Sequence, residues 1–130
     1  MSIAVTITIA GRNLVRDSVK LGVSPAVTYV ALGTSNTAPT INDTKLGAES
    51  FRKAIPSTSN ANGTQPGEVL INITIATSEA SGIAIQEIGF FGGATATATA
   101  NTGTLIGRAL YAHNKTSSET LTFTFDLSIS

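Results

Sequence analysis

His113 is the single histidine of the chain, and there is no cysteine to work beside it. A nucleophile needs a base, and that base needs a group to orient it. A zinc site needs three or four nitrogen and sulfur ligands. One histidine beside a turn supplies neither and reads as a surface residue. The carboxylates Asp17, Asp43, Glu49, Glu68, Glu79, Glu87, Glu119 and Asp126 are scattered singly. Two of them could still meet across the fold as a glycosidase pair. With no tryptophan and two tyrosines, a sugar-stacking cleft lacks its usual material. No phosphate-binding glycine loop, dinucleotide fingerprint or nucleophile elbow occurs. The expectation is a non-enzymatic protein with no metal and no cofactor.

Other charges stand out by where they fall. Glu87 lies inside Ile85-Gln-Glu-Ile-Gly-Phe-Phe91, and Arg108 lies inside Leu105-Ile-Gly-Arg-Ala-Leu110. An unpaired charge in an apolar strand is costly to bury, so each must be exposed or paired. Either they are structural ion pairs or edge-strand protection, or they are contacts between subunits. Arg52 with Glu49 is a third possible pair. Arg12, Arg16 and Lys20 recur at i, i+4 and i+8, which places them on one side of a helix. That stripe is either a solvated face or a docking face for an acidic partner. Arg12, Arg16, Lys20, Glu87 and Arg108 are the candidate assembly contacts.

The elements that must position these residues are mostly strands. Leu121, Phe123, Phe125, Leu127 and Ile129 alternate with Thr120, Thr122, Thr124, Asp126 and Ser128. Period-2 alternation makes a half-buried strand with an outer face of hydroxyls. Residues 3–9 and 69–75 alternate in the same way, so Ile3, Val5, Ile7, Val69, Ile71, Ile73 and Ile75 are expected in the same core. Gly11 to Leu21 reads as one short amphipathic helix. Leu14, Val15, Ser18, Val19 and Leu21 form its inner arc, Thr8 or Thr6 its cap, and Gly22 its stop.

Further strands are expected over Val27–Leu32, Ala48–Ile55 and Leu105–Ala112. In Ile83–Phe91 the apolar parity slips between Ile85 and Ile88, which predicts a bulge near Gln86-Glu87. Residues 34–45 and 57–67 have turn composition and read as a loop and a long hairpin tip. The small-residue tract 92–103 cannot build a core and reads as a mobile loop or a segment laid flat on a neighbour. The sum is one domain, residues 1–130: a mainly β, antiparallel sandwich of about seven strands with one short N-terminal helix.

Charged residues make up 12% of the chain and balance to zero net charge, against roughly 25% in an average soluble protein. No basic excess points to nucleic acid or an anionic membrane. No secretion signal is evident, so synthesis in a cytoplasm is expected. Such thinly charged surfaces are either hydrated by Thr and Ser or covered by neighbours.

Five segments in order carry a resemblance. They are Ala10-Gly-Arg-Asn-Leu-Val-Arg-Asp17, Tyr29-Val-Ala-Leu-Gly-Thr34, Asp43-Thr-Lys-Leu-Gly47 with Phe51-Arg-Lys53, Ile85–Phe91 and Gly103-Thr-Leu-Ile-Gly-Arg-Ala109. Together they resemble small structural proteins of tailed bacteriophages of the tail-fibre, tail-collar and baseplate-associated kind. The resemblance implies a virion structural protein, an adaptor or fibre base, made in the host cytoplasm. It implies a homo-oligomer, trimer or ring, bound to other virion proteins. A capsid decoration (cement) protein is the alternative. A glycan-binding module using the loops at 34–45 and 57–67 is the second.

Overall fold

Alternation decides the first sheet. The computed structural model describes residues 2–56 and 60–128. Within it, β9 (Leu121–Ser128) pairs antiparallel with β6 (Glu68–Ile75), so that Phe125 faces Ile71 and Phe123 faces Ile73. Both strands turn their branched and aromatic side chains inward, leaving Thr122, Asn72 and Thr74 exposed. β1 (Ser2–Ala4) lies on the far side of β9, and β5 (Asn60–Asn62) on the far side of β6.

The second sheet has the order β2 (Thr6–Ile7), β8 (Thr104–Asn114), β7 (Ala84–Gly92), β3 (Val27–Gly33), β4 (Glu49–Ala54). Every described pairing here is antiparallel. The two sheets enclose one core. Val30, Leu32, Ile88, Phe90 and Ile106 from the second sheet meet Ile71, Ile73, Ile75, Phe123, Phe125 and Leu127 from the first. Phe90 and Phe125 touch edge to face across the layer, ring centroids 4.6 Å apart. Each such ring contributes about 1.5–3 kcal/mol by leaving water.

The mainly β sandwich with a short N-terminal helix is therefore as expected, with two differences. The described residues contain nine strands rather than about seven. The first predicted strand breaks at Val5, giving β1 to one sheet and β2 to the other. The predicted hairpin tip at 57–67 also contains β5, because Asn60–Asn62 still reaches Val69–Ile71. Secondly, β1 runs parallel to β9. β1 and β9 are the first and last described strands and no hairpin joins them, so no tight turn imposes an antiparallel pairing. Val5, Ile7, Val69 and Leu121 pack on the core from partly buried positions. Ile129 and the side chain of Ile3 lie outside the described residues.

Helix α1 (Ile9–Leu21) starts where Thr8, in extended conformation, accepts the Gly11 amide on its hydroxyl at 2.9 Å. Thr8 is itself buried and bonds the Leu105 carbonyl through the same oxygen. Gly11 is where the helix touches the sheet. A Cβ there would lie 2.7 Å from the Ile106 carbonyl oxygen, so only glycine permits this approach to β8. Gly22 ends the helix in the left-handed region, φ 76°, its amide bonded to the Ser18 carbonyl.

Candidate functional site

The bulge is present and it aims a charge. Ile85 pairs with His113 but Glu87 pairs with Leu110, so two steps on β7 match three on β8. Tyr111 and Ala112 together oppose Gln86. Past this point the parity of β7 flips. Ile85 and Ile88 both enter the main core, and Glu87 points through the opposite face of the sheet.

There Glu87 is 0% exposed and has four donors. The amides of Ser35, Gly47 and Ala48 give it hydrogen bonds of 3.1, 2.8 and 2.8 Å, and Arg108 Nε one of 2.9 Å. Arg108, 2% exposed, reaches onward to Asp43 at 3.2 Å and to the Thr37 carbonyl at 2.8 Å. Burial pushes the Asp43 carboxyl up. The Thr40 amide and hydroxyl and the Arg108 guanidinium outweigh it and hold the group below the usual carboxylate range. The cluster thus ties both ends of the polar loop 34–48 onto the sheet, and Leu46 of that loop packs with Ala31, Phe91 and Leu105.

A second buried pair lies on the same face. Arg52 holds Glu49 with two parallel bonds of 2.7 and 2.9 Å. Its remaining amino group donates to the carbonyls of Thr97 and Thr102 at 2.9 and 2.8 Å. The guanidinium lies 4.2 Å from the Phe91 ring centroid. Glu49 also accepts the Asn101 amide at 3.1 Å. The small-residue tract 92–103 is therefore laid flat, but on its own chain.

The sequence reading of Glu87 and Arg108 as subunit contacts is corrected here. Their side chains are buried and spent on each other and on loop 34–48. They offer nothing to a neighbour, and the structural-pair alternative holds, as it does for Arg52 with Glu49. His113 bonds Glu119 at 2.8 Å beside the turn that follows β8. The Thr116 amide, then His113, hold the Glu119 carboxyl below the usual range. Among the described residues no group of three or more His, Asp and Glu is placed to hold a metal ion. No helix of the described chain is long and apolar enough to cross a membrane.

Two participants had no usable signal in the sequence. Asp43 sits in a loop whose path is set by Arg108, sixty-five residues away. Lys115, in the turn Asn-Lys-Thr-Ser-Ser, is 2% exposed, and its ammonium donates to the carbonyls of Thr116 and Thr77 at 2.7 and 3.4 Å. Lysine is rarely buried, and turn composition argues for exposure.

Helix α1 keeps its predicted basic stripe outward: Arg12, Arg16 and Lys20 are exposed. Arg16 pairs with Asp17 at 2.8 Å, while Arg12 and Lys20 enter no salt bridge among the described residues. The predicted inner arc needs correction. Gly11, Leu14, Val15 and Ser18 face the sheet, but Val19 is 85% and Leu21 66% exposed. With the helix seated on Gly11, a turn of about 100° per residue carries Val19 round to the side of Arg12 and Arg16. Five of the six large exposed apolar side chains, Ile9, Val19, Leu21, Val23 and Ile41, lie on or beside this helix. The Ile9 amide bonds the Ile41 carbonyl at 2.7 Å, which brings the last of them alongside.

No protein-family model, no curated protein and no solved structure matches this chain.

Proposed function

We propose that the protein is a non-enzymatic structural component of a bacteriophage virion, of the tail or fibre apparatus, acting through symmetric protein–protein assembly. The observation that carries this reading is the distribution of the surface. The charges inside the second sheet are consumed in fixing its loops. The exposed apolar side chains gather with Arg12, Arg16 and Lys20 at one helix. An apolar patch mixed with cations on a thinly charged molecule is the material of a protein contact. The order of the five segments around it supports the tail-fibre type of component.

A capsid decoration protein would carry the same kind of surface, and position in the particle separates the two. The glycan-binding reading has weaker support. The depressions beside its two loops are lined by Thr37, Asn42, Asp43 and Lys45 in one case and by Asn62, Thr64, Gln65 and Pro66 in the other, with no aromatic ring. Sugar sites ordinarily stack the ring on one.

The test is sedimentation of the purified protein together with gold labelling of particles assembled in its presence. An oligomer in solution and label on the tail are expected. Label confined to the head would move the assignment to capsid decoration. A monomer absent from every particle would overturn the virion reading.

A further inference from the structure

We infer that a pocket between the two sheets, beside helix α1, binds a small apolar molecule carrying one hydroxyl group, of about the size of a phenol. This goes beyond the assembly reading and does not rest on it. The pocket is a cavity of about 320 Å³, within the range that takes small ligands. Ile71 of β6, Ile106 of β8 and Leu127 of β9 are buried and make its floor. Val15 of the helix and Val69 of β6 stand half-buried as walls, and Pro25 is exposed at its mouth.

One polar side chain enters this apolar lining. Asn60 of β5 lies directly opposite Ile71 on β6. Opposed residues of a strand pair put their side chains on one face, and Ile71 belongs to the core. Asn60 is therefore turned inward, and it lines the same cavity. Its Oδ1 is, among the described residues, the one buried side-chain nitrogen or oxygen with no hydrogen-bond partner. A buried acceptor without a donor destabilises the fold, and native structures keep few of them without a reason. Here the reason is a donor brought by the ligand.

The lining selects the class of ligand. A water molecule needs several polar partners to be held in a cavity, and Asn60 is the one polar side chain here. A hydrocarbon would cover the aliphatic side chains and leave Oδ1 unpaired. A hydroxyl donates to Oδ1 while its carbon frame covers the valines, isoleucines and leucine. It suits the amide in either orientation, since it both donates and accepts. A charged group would be buried with no opposite charge in the lining. A sugar would bury most of its hydroxyls without partners. The floor is drawn from both sheets inside the sandwich, which suits a compact free molecule better than a side chain tied to a partner's backbone.

Phenol and toluene, matched in size and differing in the hydroxyl, test this by methyl NMR of the purified full chain. Phenol should shift the methyls of Val15, Val69, Ile71, Ile106 and Leu127. It should bind on the order of tenfold more tightly than toluene. Asn60→Val removes the acceptor and keeps a side chain that suits a strand. It should bring phenol down to the affinity of toluene and leave toluene unchanged. Its melting temperature should not fall, because an unpaired buried acceptor is gone. Should Asn60→Val not fold, the wild-type comparison of phenol with toluene decides alone. Shifts from neither ligand would overturn the inference and leave the cavity to water. Equal affinities in the wild type, or a preference for phenol that survives Asn60→Val, would overturn the assignment of the hydroxyl to Asn60. N-acetyltyrosinamide binding more tightly than phenol would overturn the free molecule in favour of a tyrosine of a neighbouring protein. The virion reading is decided separately, by sedimentation and labelling, and survives each of these failures.

Discussion

The two sheets of this sandwich are built on different terms. The first has one face in the core and one face carrying Thr122, Thr124, Asn72 and Thr74, with hydrogen bonds such as Thr124 to Asn72 at 2.8 Å between exposed groups. The second has both faces covered. Its inner side meets the first sheet, and its outer side is roofed by the loops at 34–48 and 93–103. Those loops are polar and cannot roof a sheet by hydrophobic contact alone. Glu87 and Arg52 supply what the loops lack, by taking up backbone amides and carbonyls that the roof would otherwise bury unpaired. A charge in an apolar strand here is the anchor of a loop.

The largest effect should follow from breaking that anchor. Glu87→Ala strands Arg108 in the interior and removes the acceptor of three backbone amides. The expected loss is about 3–5 kcal/mol in urea unfolding. Glu87→Gln keeps the shape and part of the acceptor set and should lose less. A loss below about 1 kcal/mol for the alanine variant would show that loop 34–48 does not depend on it.

Next come the two aromatic cores. Phe123→Ala on the first sheet removes a buried ring that contacts Tyr111 and Phe125, and should cost about 3–5 kcal/mol. Phe91→Ala on the roofed side of the second sheet should cost a similar amount, because that ring is equally buried and has the Arg52 guanidinium above it. A much smaller cost at Phe91 would mean that the roof opens readily and the outer face is in effect a surface.

Acid should act on both sheets, in one direction. Asp43, Glu79 and Glu119 all have carboxyls held below their ordinary range. For Glu79 the first cause is the Lys53 ammonium at 2.7 Å, a bond that ties β4 of the second sheet to the end of the first. A carboxyl depressed in the folded state contributes stability above its unfolded pKa and loses it as pH falls through the folded value. Stability should therefore hold near neutrality and decline below about pH 4. Asp43→Asn should flatten that decline and cost about 1–2 kcal/mol at neutral pH, measured by thermal melts across the pH series.

The contrast also explains what could be read from the sequence. The first sheet was legible at the level of single residues, because one dry face and one wet face force a period of two. Ile71, Ile73, Ile75, Phe123, Phe125 and Leu127 are all inside as read. In the second sheet Val30, Ala31 and Leu32 are all buried, so period carries no information about face. The parity slip at Gln86-Glu87 still located a real bulge, since a bulge changes which residues are apolar. What Glu87 binds was not legible, because Ser35, Gly47 and Ala48 contribute backbone amides that any residue would have. The helix was read in place, two residues short at its start. Its inner arc was misjudged at Val19 and Leu21, since periodicity alone does not say which residue seats the helix. Gly11 does, through a contact with Ile106 that is far away in sequence.

The smallest effect on folding should come from the outer face of the first sheet, and it sharpens the comparison most. Replacing Thr122, Thr124 and Thr74 by Val keeps the branched shape that suits a strand. It forfeits the exposed Thr124 hydroxyl bond, and water competes for such bonds in the wild type. Each single change should therefore move stability by no more than about 0.5 kcal/mol. Association should respond differently. Three hydroxyls exchanged for methyls on one face enlarge the apolar patch around Leu70 and remove part of the hydration of that face. The triple variant should self-associate more strongly and with less dependence on salt, at an unchanged melting temperature when dilute. The same three substitutions would then separate folding from association on this face: the melt stays put while self-association rises.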